Sequence, residues 1–321
     1  MIIVISLKGA HRHLEMKTQL LDFLICPACL PGERELTCDI LKSIGDDIIS
    51  GSLKCSRCGA TYPIREGIGV LLSGPPEDLD GAQAKYESPA VVSSYMWSHY
   101  ADLWEDEDAS AAYREWGALL SNHSGFSLDA GCAVGRFTFE MSFRSDFSVG
   151  IDRSYAFVRA AKELLKERTL EIVLAEEGVL TGVRKVCLPE KWDTRKIEFL
   201  VADAQALPFK SHHFSSLASL NLVDKVPRPG LHLREINRIA REKDAQFLFS
   251  DPFSWSTDIA DEKDWLGGTE QGSYSGRGIE NVAGLLTPFW QIDKRGHVWW
   301  KIRNHRNHFE LIRSCFIHAS R

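Results

Sequence analysis

Residues 128–138, LDAGCAVGRFT, are the stretch on which the fold turns. A short apolar run enters Asp129, then come Gly131 and Gly135. A dinucleotide loop needs G-x-G-x-x-G, because its glycines let the backbone approach the pyrophosphate. In that register this chain has Gly131, Ala133 and Arg136, so two of the three positions fail. Ala133 leaves a question open. A positive φ there costs an alanine on the order of 1 kcal/mol, whereas a negative φ is nearly free.

Outward from this loop, from about Phe126, apolar strands alternate with helical stretches, which predicts a doubly wound α/β sheet. The expected strands are FSLDA, FSVGID, IEFLVAD, FSSLASLNLVD and AQFLFSD. Each ends on or beside an aspartate: Asp129, Asp152, Asp203, Asp224 and Asp251. Ligands of open α/β sheets bind outside the carboxyl ends of the strands. Five carboxylates there would repel a pyrophosphate and favour a cation. S-adenosylmethionine meets that condition, with a sulfonium, an ammonium and a ribose but no phosphate. Asp152, ending the second strand, is placed to accept both ribose hydroxyls, and Asp203 in VADAQALPF to meet the adenine amino group.

The loop, Asp152 and VADAQALPF together resemble the class I S-adenosylmethionine-dependent methyltransferases. The resemblance implies a Rossmann-like, mostly parallel seven-stranded sheet. It also implies cofactor contacts at Asp129, Gly131, Cys132, Ala133, Gly135, Asp152, Arg153, Asp203, Ala204 and Asn221. For Asn221 a simple turn role is the competing reading.

Ahead of this domain stand two C-x-x-C knuckles, CPAC (Cys26, Cys29) and CSRC (Cys55, Cys58). Each supplies two thiolates from one tight turn, and zinc takes four in a tetrahedron. Cys38, in the loop between them, reads as a spare. The flanks LLDFLICPAC and LKCSRCGATYPIREGIGVLL resemble the Trm112-like zinc ribbons over residues 19–72. That implies a structural zinc, since four thiolates leave no open coordination position. It also suggests protein contact through the ribbon. Residues 1–18 read as a leader, 73–85 as a Pro/Gly/acidic linker and 86–321 as the methyltransferase domain.

Composition bounds the alternatives. The chain has 321 residues, 44% hydrophobic and 26% charged, which suits one large soluble domain plus a small one. No apolar run approaches the roughly 20 residues of a membrane span, and MIIVIS is too short for a signal peptide. Eight cysteines with four in close pairs favour a metal site in a reducing cytoplasm over disulfides. The net charge is −6, and residues 1–80 hold eight Lys/Arg against eleven Asp/Glu. A segment that feeds nucleic acid should show the reverse balance.

Three further stretches narrow the resemblance: YESPAVVSSYMWSHY (86–100), NLVDKVPRP (221–229) and DPFSWSTDIADEKDWLGG (251–268), with LLTPFW beyond. Together they look like the methyltransferase domain of ovothiol-biosynthesis enzymes and the stand-alone 4-mercaptohistidine N1-methyltransferases, over residues 86–316. The resemblance implies methylation of an imidazole nitrogen on a small thiol-histidine-like substrate. Candidate catalytic residues are Asp224, His99 and Tyr100; candidate substrate contacts are Tyr95, Trp265, Tyr274 and Arg303. Bland readings stand beside these: a cap for Asp224, packing for His99, a solvated loop for Tyr274, a solvated strand pair for Arg303. Two other functions remain in play. One is a methyltransferase acting on RNA or protein with the ribbon as recognition module. The other is a cofactor-binding or partner-binding scaffold without catalysis.

Overall fold

The computed structural model describes residues 13–72 and 84–321. Most of the expected leader and linker therefore lies outside the described residues. The leader's last residues belong to the packed structure. Met16 is fully buried and exchanges backbone hydrogen bonds of 2.7 and 2.8 Å with Ile48. The Lys17 N–H donates to the buried Glu198 carboxylate at 2.7 Å.

The ribbon is built from β1 (Leu36–Ile44), β2 (Asp47–Cys55), β3 (Thr61–Arg65) and β4 (Ile68–Leu71). It is not a separate body. Its β4 pairs in parallel with β9 (Ile197–Ala202), matching Val70 to Val201 and Leu71 to Ala202. One eleven-stranded sheet results, in the order β1-β2-β3-β4-β9-β6-β5-β10-β11-β13-β12.

Seven of those strands form the expected α/β sheet: β5 (Phe126–Ala130), β6 (Phe147–Asp152), β9, β10 (Phe214–Leu220), β11 (Gln246–Asp251), β12 (Gln291–His305) and β13 (His308–Ser320). Strands β9, β6, β5, β10 and β11 run parallel, and β13 enters antiparallel against β11 as half of a long hairpin with β12. Strand order reverses between β5 and β10, which opens a crevice at their carboxyl ends. This is the class I methyltransferase order. One expected strand was drawn too long. Strand β10 stops at Leu220, Asn221 turns at φ 55°, and Val223–Lys225 form a short 3₁₀ turn.

Among the described residues the α-helices are α1 (Pro89–Tyr100), α2 (Ala112–Gly117), α3 (Arg136–Ser142), α4 (Tyr155–Glu167), α5 (Pro229–Ile239) and α6 (Gly278–Leu286). Helix α4 illustrates the local logic. The Ser154 hydroxyl caps it by accepting the Phe157 N–H at 3.1 Å. The Glu87 carboxylate takes the next two orphan donors, the N–H groups of Tyr155 and Ala156, at 3.0 Å each. Its apolar stripe of Phe157, Val158, Ala161, Leu164 and Leu165 is buried, at roughly 1.5–3 kcal/mol per large side chain. Arg168 ends it in a left-handed conformation. Between α4 and β9 the chain inserts a hairpin that the sequence reading did not anticipate, β7 (Thr169–Glu177) with β8 (Leu180–Cys187).

Candidate active site

A cavity of about 360 Å³ opens at the strand-end crevice. On one side it is lined by Gly131, Ala133, Asp152, Arg153, Asp203, Ala204, Gln205 and Asn221, all from the carboxyl ends of the parallel strands or the turns after them. The loop after β5 answers the question posed by its sequence. Gly131 and Gly135 have φ of 78° and 87°, and Ala133 also has a positive φ, 45°. That turn aims the Ala133 N–H at Asp152 Oδ2, 2.9 Å away. Asp152 Oδ1 accepts the Ser154 N–H at 2.9 Å. Each carboxylate oxygen keeps a further lone pair, so the group can still accept two hydroxyls.

Seven of the ten expected cofactor residues line this cavity: Gly131, Ala133, Asp152, Arg153, Asp203, Ala204 and Asn221. The other three lie off the lining. Asp129 is buried and accepts the Thr138 hydroxyl at 2.8 Å, tying α3 to β5. The Cys132 N–H donates to the Ile151 carbonyl at 2.9 Å, and the Gly135 N–H to the Cys132 carbonyl at 2.8 Å. Arg136, which spoils the dinucleotide register, is a buried clamp. It donates to the His99 carbonyl at 3.1 Å, to Glu140 at 2.6 Å and to Asp102 at 3.1 Å.

The strand-end edge is less negative than five aspartates suggest. Burial pushes the Asp129 carboxyl up to about 7 and that of Asp152 up to about 6. Asp224 is raised, and Asp251 well above the ordinary range, again by burial. Of these four carboxyls, Asp152 is the one that lines the cavity.

The far side of the cavity is an aromatic cage. Tyr95 and His99 come from α1, Tyr113 from α2, Trp300 from β12, and Tyr86 from the turn before α1. Ring centroids lie 5.8 Å apart for Tyr95–His99, 4.5 Å for His99–Tyr113 and 6.0 Å for Tyr95–Trp300. Burial and the nearby Arg136 charge hold the His99 pKa well below its usual value, so the ring is neutral. Tyr113, Trp300 and Glu310 were missed by sequence reasoning. For Trp300 the available signal was the period-two alternation of Val298, Trp300 and Ile302 in HVWWKIR, which faces one side of β12; Tyr113 and Glu310 carried none.

Several expected site residues lie elsewhere. Tyr100 is fully buried and donates to the Val134 carbonyl at 2.8 Å, outside the cavity lining. Asp224 is also off the lining, because the early end of β10 turns its carboxylate to Lys225 Nζ at 3.0 Å and the Ser254 N–H at 2.9 Å. Arg303 is held by Glu176 of the inserted hairpin at 3.0 Å. Trp265 stacks on Trp255 and donates to the Ala260 carbonyl at 3.0 Å. The Tyr274 carbonyl ties to Asn281, and both Trp265 and Tyr274 border a separate depression. Of the expected substrate contacts, Tyr95 alone lines the cavity; of the expected catalytic residues, His99 alone.

S-adenosylmethionine suits this site on the chain's own chemistry. Asp152 offers free acceptor capacity beside the loop, and the buried Asn221 Oδ1 has no partner among the described residues. The four cysteines suit zinc equally well. Cys26 and Cys58 Sγ are 3.6 Å apart, Cys29 and Cys55 Sγ 3.8 Å, and all four lie within 4.8 Å of one another. A tetrahedral zinc with Zn–S near 2.3 Å needs sulfurs about 3.8 Å apart. The Tyr62 hydroxyl lies 3.1 Å from Cys26 Sγ, as a supporting donor should. Such a closed set of thiolates makes the metal structural.

Comparison with known proteins agrees with this geometry. Residues 17–67 match the family described as Trm112p-like protein, and residues 128–245 match a methyltransferase domain family. No curated protein matches the chain. Among solved structures, the chain is similar to a SAM-dependent methyltransferase from Aquifex aeolicus, at 11% identity over 72% of this chain and 97% of that one, with a TM-score of 0.42. It is also similar to one from Methanosarcina mazei, at 19% identity over 63% of this chain and 94% of that one, with a TM-score of 0.41. Likenesses this distant leave the domain match, the strand order and the strand-end site as the grounds for assignment. Among the described residues no helix is long and apolar enough to cross a membrane. On those grounds the chain is an S-adenosylmethionine-dependent methyltransferase with a Trm112-like, four-cysteine ribbon joined to its sheet.

Proposed function

We propose that the chain methylates a ring nitrogen of a small imidazole, with a thiol-histidine-like metabolite as acceptor, in the cytoplasm. The observation that supports this reading is the cage of Tyr86, Tyr95, His99, Tyr113 and Trp300 on one wall of the cavity that Asp152 and Asp203 line. Flat aromatic walls favour a flat acceptor, and a cavity of about 360 Å³ is in the small-ligand range.

Bound S-adenosylmethionine supplies an electrophilic methyl group on a cationic sulfur. The chain's own task is position. In-line displacement needs the nucleophilic nitrogen about 3 Å from the methyl carbon, opposite the sulfur. Asp152, Asp203 and the loop with Ala133 hold one reactant, and the cage holds the other. A neutral imidazole brings its own lone pair, so no strong base is required. The cofactor would supply the methyl group and keep the C–S bonding pair on sulfur, and the acceptor ring's remaining N–H proton would leave to solvent.

A protein contact through the ribbon belongs to the same proposal. Edge strand β1 exposes Ile40, Leu41 and Ile44, which a partner could cover. The test of function is a methyl-transfer screen over thiol-imidazoles, histidine derivatives and small RNAs, read by mass spectrometry. Methylated thiol-imidazole, unaffected by salt up to about 0.3 M, is the expected result. Transfer to RNA alone, with a steep salt slope, would replace this reading with the macromolecular one. No transfer and no cofactor binding would leave a scaffold.

A further inference from the structure

We infer that His232 is a positioning residue of the cofactor site: it ties the turn after Asp203 to the sheet beside the Gly131 loop, and so sets recognition of the adenine base. This rests on the placement of Asp203 beside the adenine amino group and is independent of the acceptor. Helix α5 buries a stripe of Pro229, His232, Leu233, Ile236 and Ile239. His232 is its one polar member, fully buried where an apolar side chain would pack with no polar atom to desolvate. Both ring nitrogens are paired. Nδ1 lies 3.0 Å from the Ala204 carbonyl, and Nε2 2.8 Å from the Ser219 hydroxyl. A carbonyl only accepts, so Nδ1 carries the proton. Burial holds the pKa of His232 below its usual value, so the ring is neutral and Nε2 accepts from Ser219.

The two partners give this bridge its meaning. Ala204 follows Asp203 directly, and both line the cavity. Ser219, on β10, is paired across the sheet with Ala130, the residue before Gly131. His232 therefore sets the spacing between the turn after β9 and the loop after β5. Helix α5 holds the same turn at a second point. The Arg228 N–H donates to Gln205 Oε1 at 2.9 Å, which directs the Gln205 amide N–H to Asp203 Oδ1 at 3.2 Å. The Gln205 backbone N–H donates to that same oxygen at 2.8 Å. Asp203 Oδ1 is thus occupied from within the turn, while Oδ2 has only the Arg153 guanidinium, 3.8 Å away, among the described residues. An exocyclic amino group donates to such an oxygen, and an exocyclic carbonyl is repelled by it. How well the two are told apart depends on where Asp203 and Ala204 stand.

Titration calorimetry with S-adenosylhomocysteine and S-inosylhomocysteine reads this without turnover. The wild type should prefer the adenosyl compound by about 100-fold or more, and Asp203→Asn should remove most of that preference. An unchanged preference in Asp203→Asn would remove the adenine placement, and this proposal with it. Asparagine carries an amide N–H near the position of imidazole Nδ1, glutamine near that of Nε2. His232→Asn should therefore stay within about threefold of wild type in affinity and in preference. His232→Gln, the closer match in size, should lose about tenfold in both. Equal losses or the reverse order, with Asp203→Asn behaving as expected, would make His232 a packing residue and overturn the proposal alone. Long-range ¹⁵N spectra of histidine-labelled wild type, with the signal assigned through His232→Asn, read the tautomer directly. Protonated Nδ1 and unprotonated Nε2 are expected; the other tautomer would break the bridge to Ala204 and overturn the proposal even if neither His232 variant folded.

Discussion

The two walls of the cavity are made differently. The proposed cofactor wall takes Gly131, Ala133, Asp152, Arg153, Asp203 and Ala204 from the carboxyl ends of three parallel strands and the turns that follow them. The proposed acceptor wall draws Tyr95 and His99 from α1, Tyr113 from α2, Trp300 from β12 and Glu310 from β13. On the first wall the backbone sets position: a strand ends, a turn follows, and the side chain is where the turn leaves it. On the second, position comes from packing between segments that precede and follow the parallel strands in the chain. Variants on the two walls should therefore separate cofactor binding from acceptor binding.

The largest separation is expected from Asp152→Ala. It removes a carboxylate that takes two backbone N–H groups and has lone pairs left for the ribose hydroxyls. Charged hydrogen bonds contribute about 1.5–3 kcal/mol each, so cofactor affinity should fall about 100-fold or more with the fold retained. Calorimetric titration with S-adenosylmethionine measures it, and an unchanged Kd would refute the ribose assignment. Trp300→Ala should do the opposite. Acceptor KM should rise by a few tens of fold, for a loss of roughly 2 kcal/mol of aromatic contact, with cofactor Kd within about threefold. If both constants moved together, the two walls would not be independent.

That asymmetry also explains what the sequence made legible. Strands β5 and β6 match the expected FSLDA and FSVGID residue for residue, because alternating apolar runs between turns carry their own boundaries. The four knuckle cysteines were legible for the same reason of local spacing. The joining of β4 to β9 was not, since parallel pairing between residues 70 and 201 leaves no local mark. Tyr100 and His99 are neighbours in sequence, yet one turns to the Val134 carbonyl and the other to the cavity. Helical geometry separates adjacent side chains by about 100°, and only the surrounding fold says which direction is inward. The pairing of Arg303 with Glu176 was not legible either, because Glu176 sits on a hairpin that was not anticipated.

A smaller effect, with opposite signs for folding and for binding, is expected from pH. Burial raises Asp129 to about 7 and Asp152 to about 6, so the folded chain holds protons that an unfolded one releases near pH 4. Their contribution to stability is fully present below about pH 4 and is lost as pH rises through about 6 to 7. Ribose hydroxyls donate to an ionised Asp152, so cofactor affinity should rise about tenfold between pH 5 and 7. Titrations in buffers of different ionisation enthalpy should detect the released proton. A flat profile would show that Asp152 is already ionised in the free protein.

The smallest expected effect concerns one methyl group on the cofactor wall. Ala133 holds φ 45° so that its N–H can reach Asp152, and a left-handed alanine costs roughly 1–2 kcal/mol. Ala133→Gly removes that strain but gives the unfolded chain about 0.4–1 kcal/mol of extra entropy. The net should be a gain of up to about 1 kcal/mol, which for a chain of this size raises Tm by about 2 °C or less. Cofactor Kd should stay within about twofold, because the N–H keeps its direction. A lower Tm would mean that the side chain of Ala133, a residue 7% exposed and part of a buried apolar cluster, contributes more by its contacts than the left-handed turn takes away.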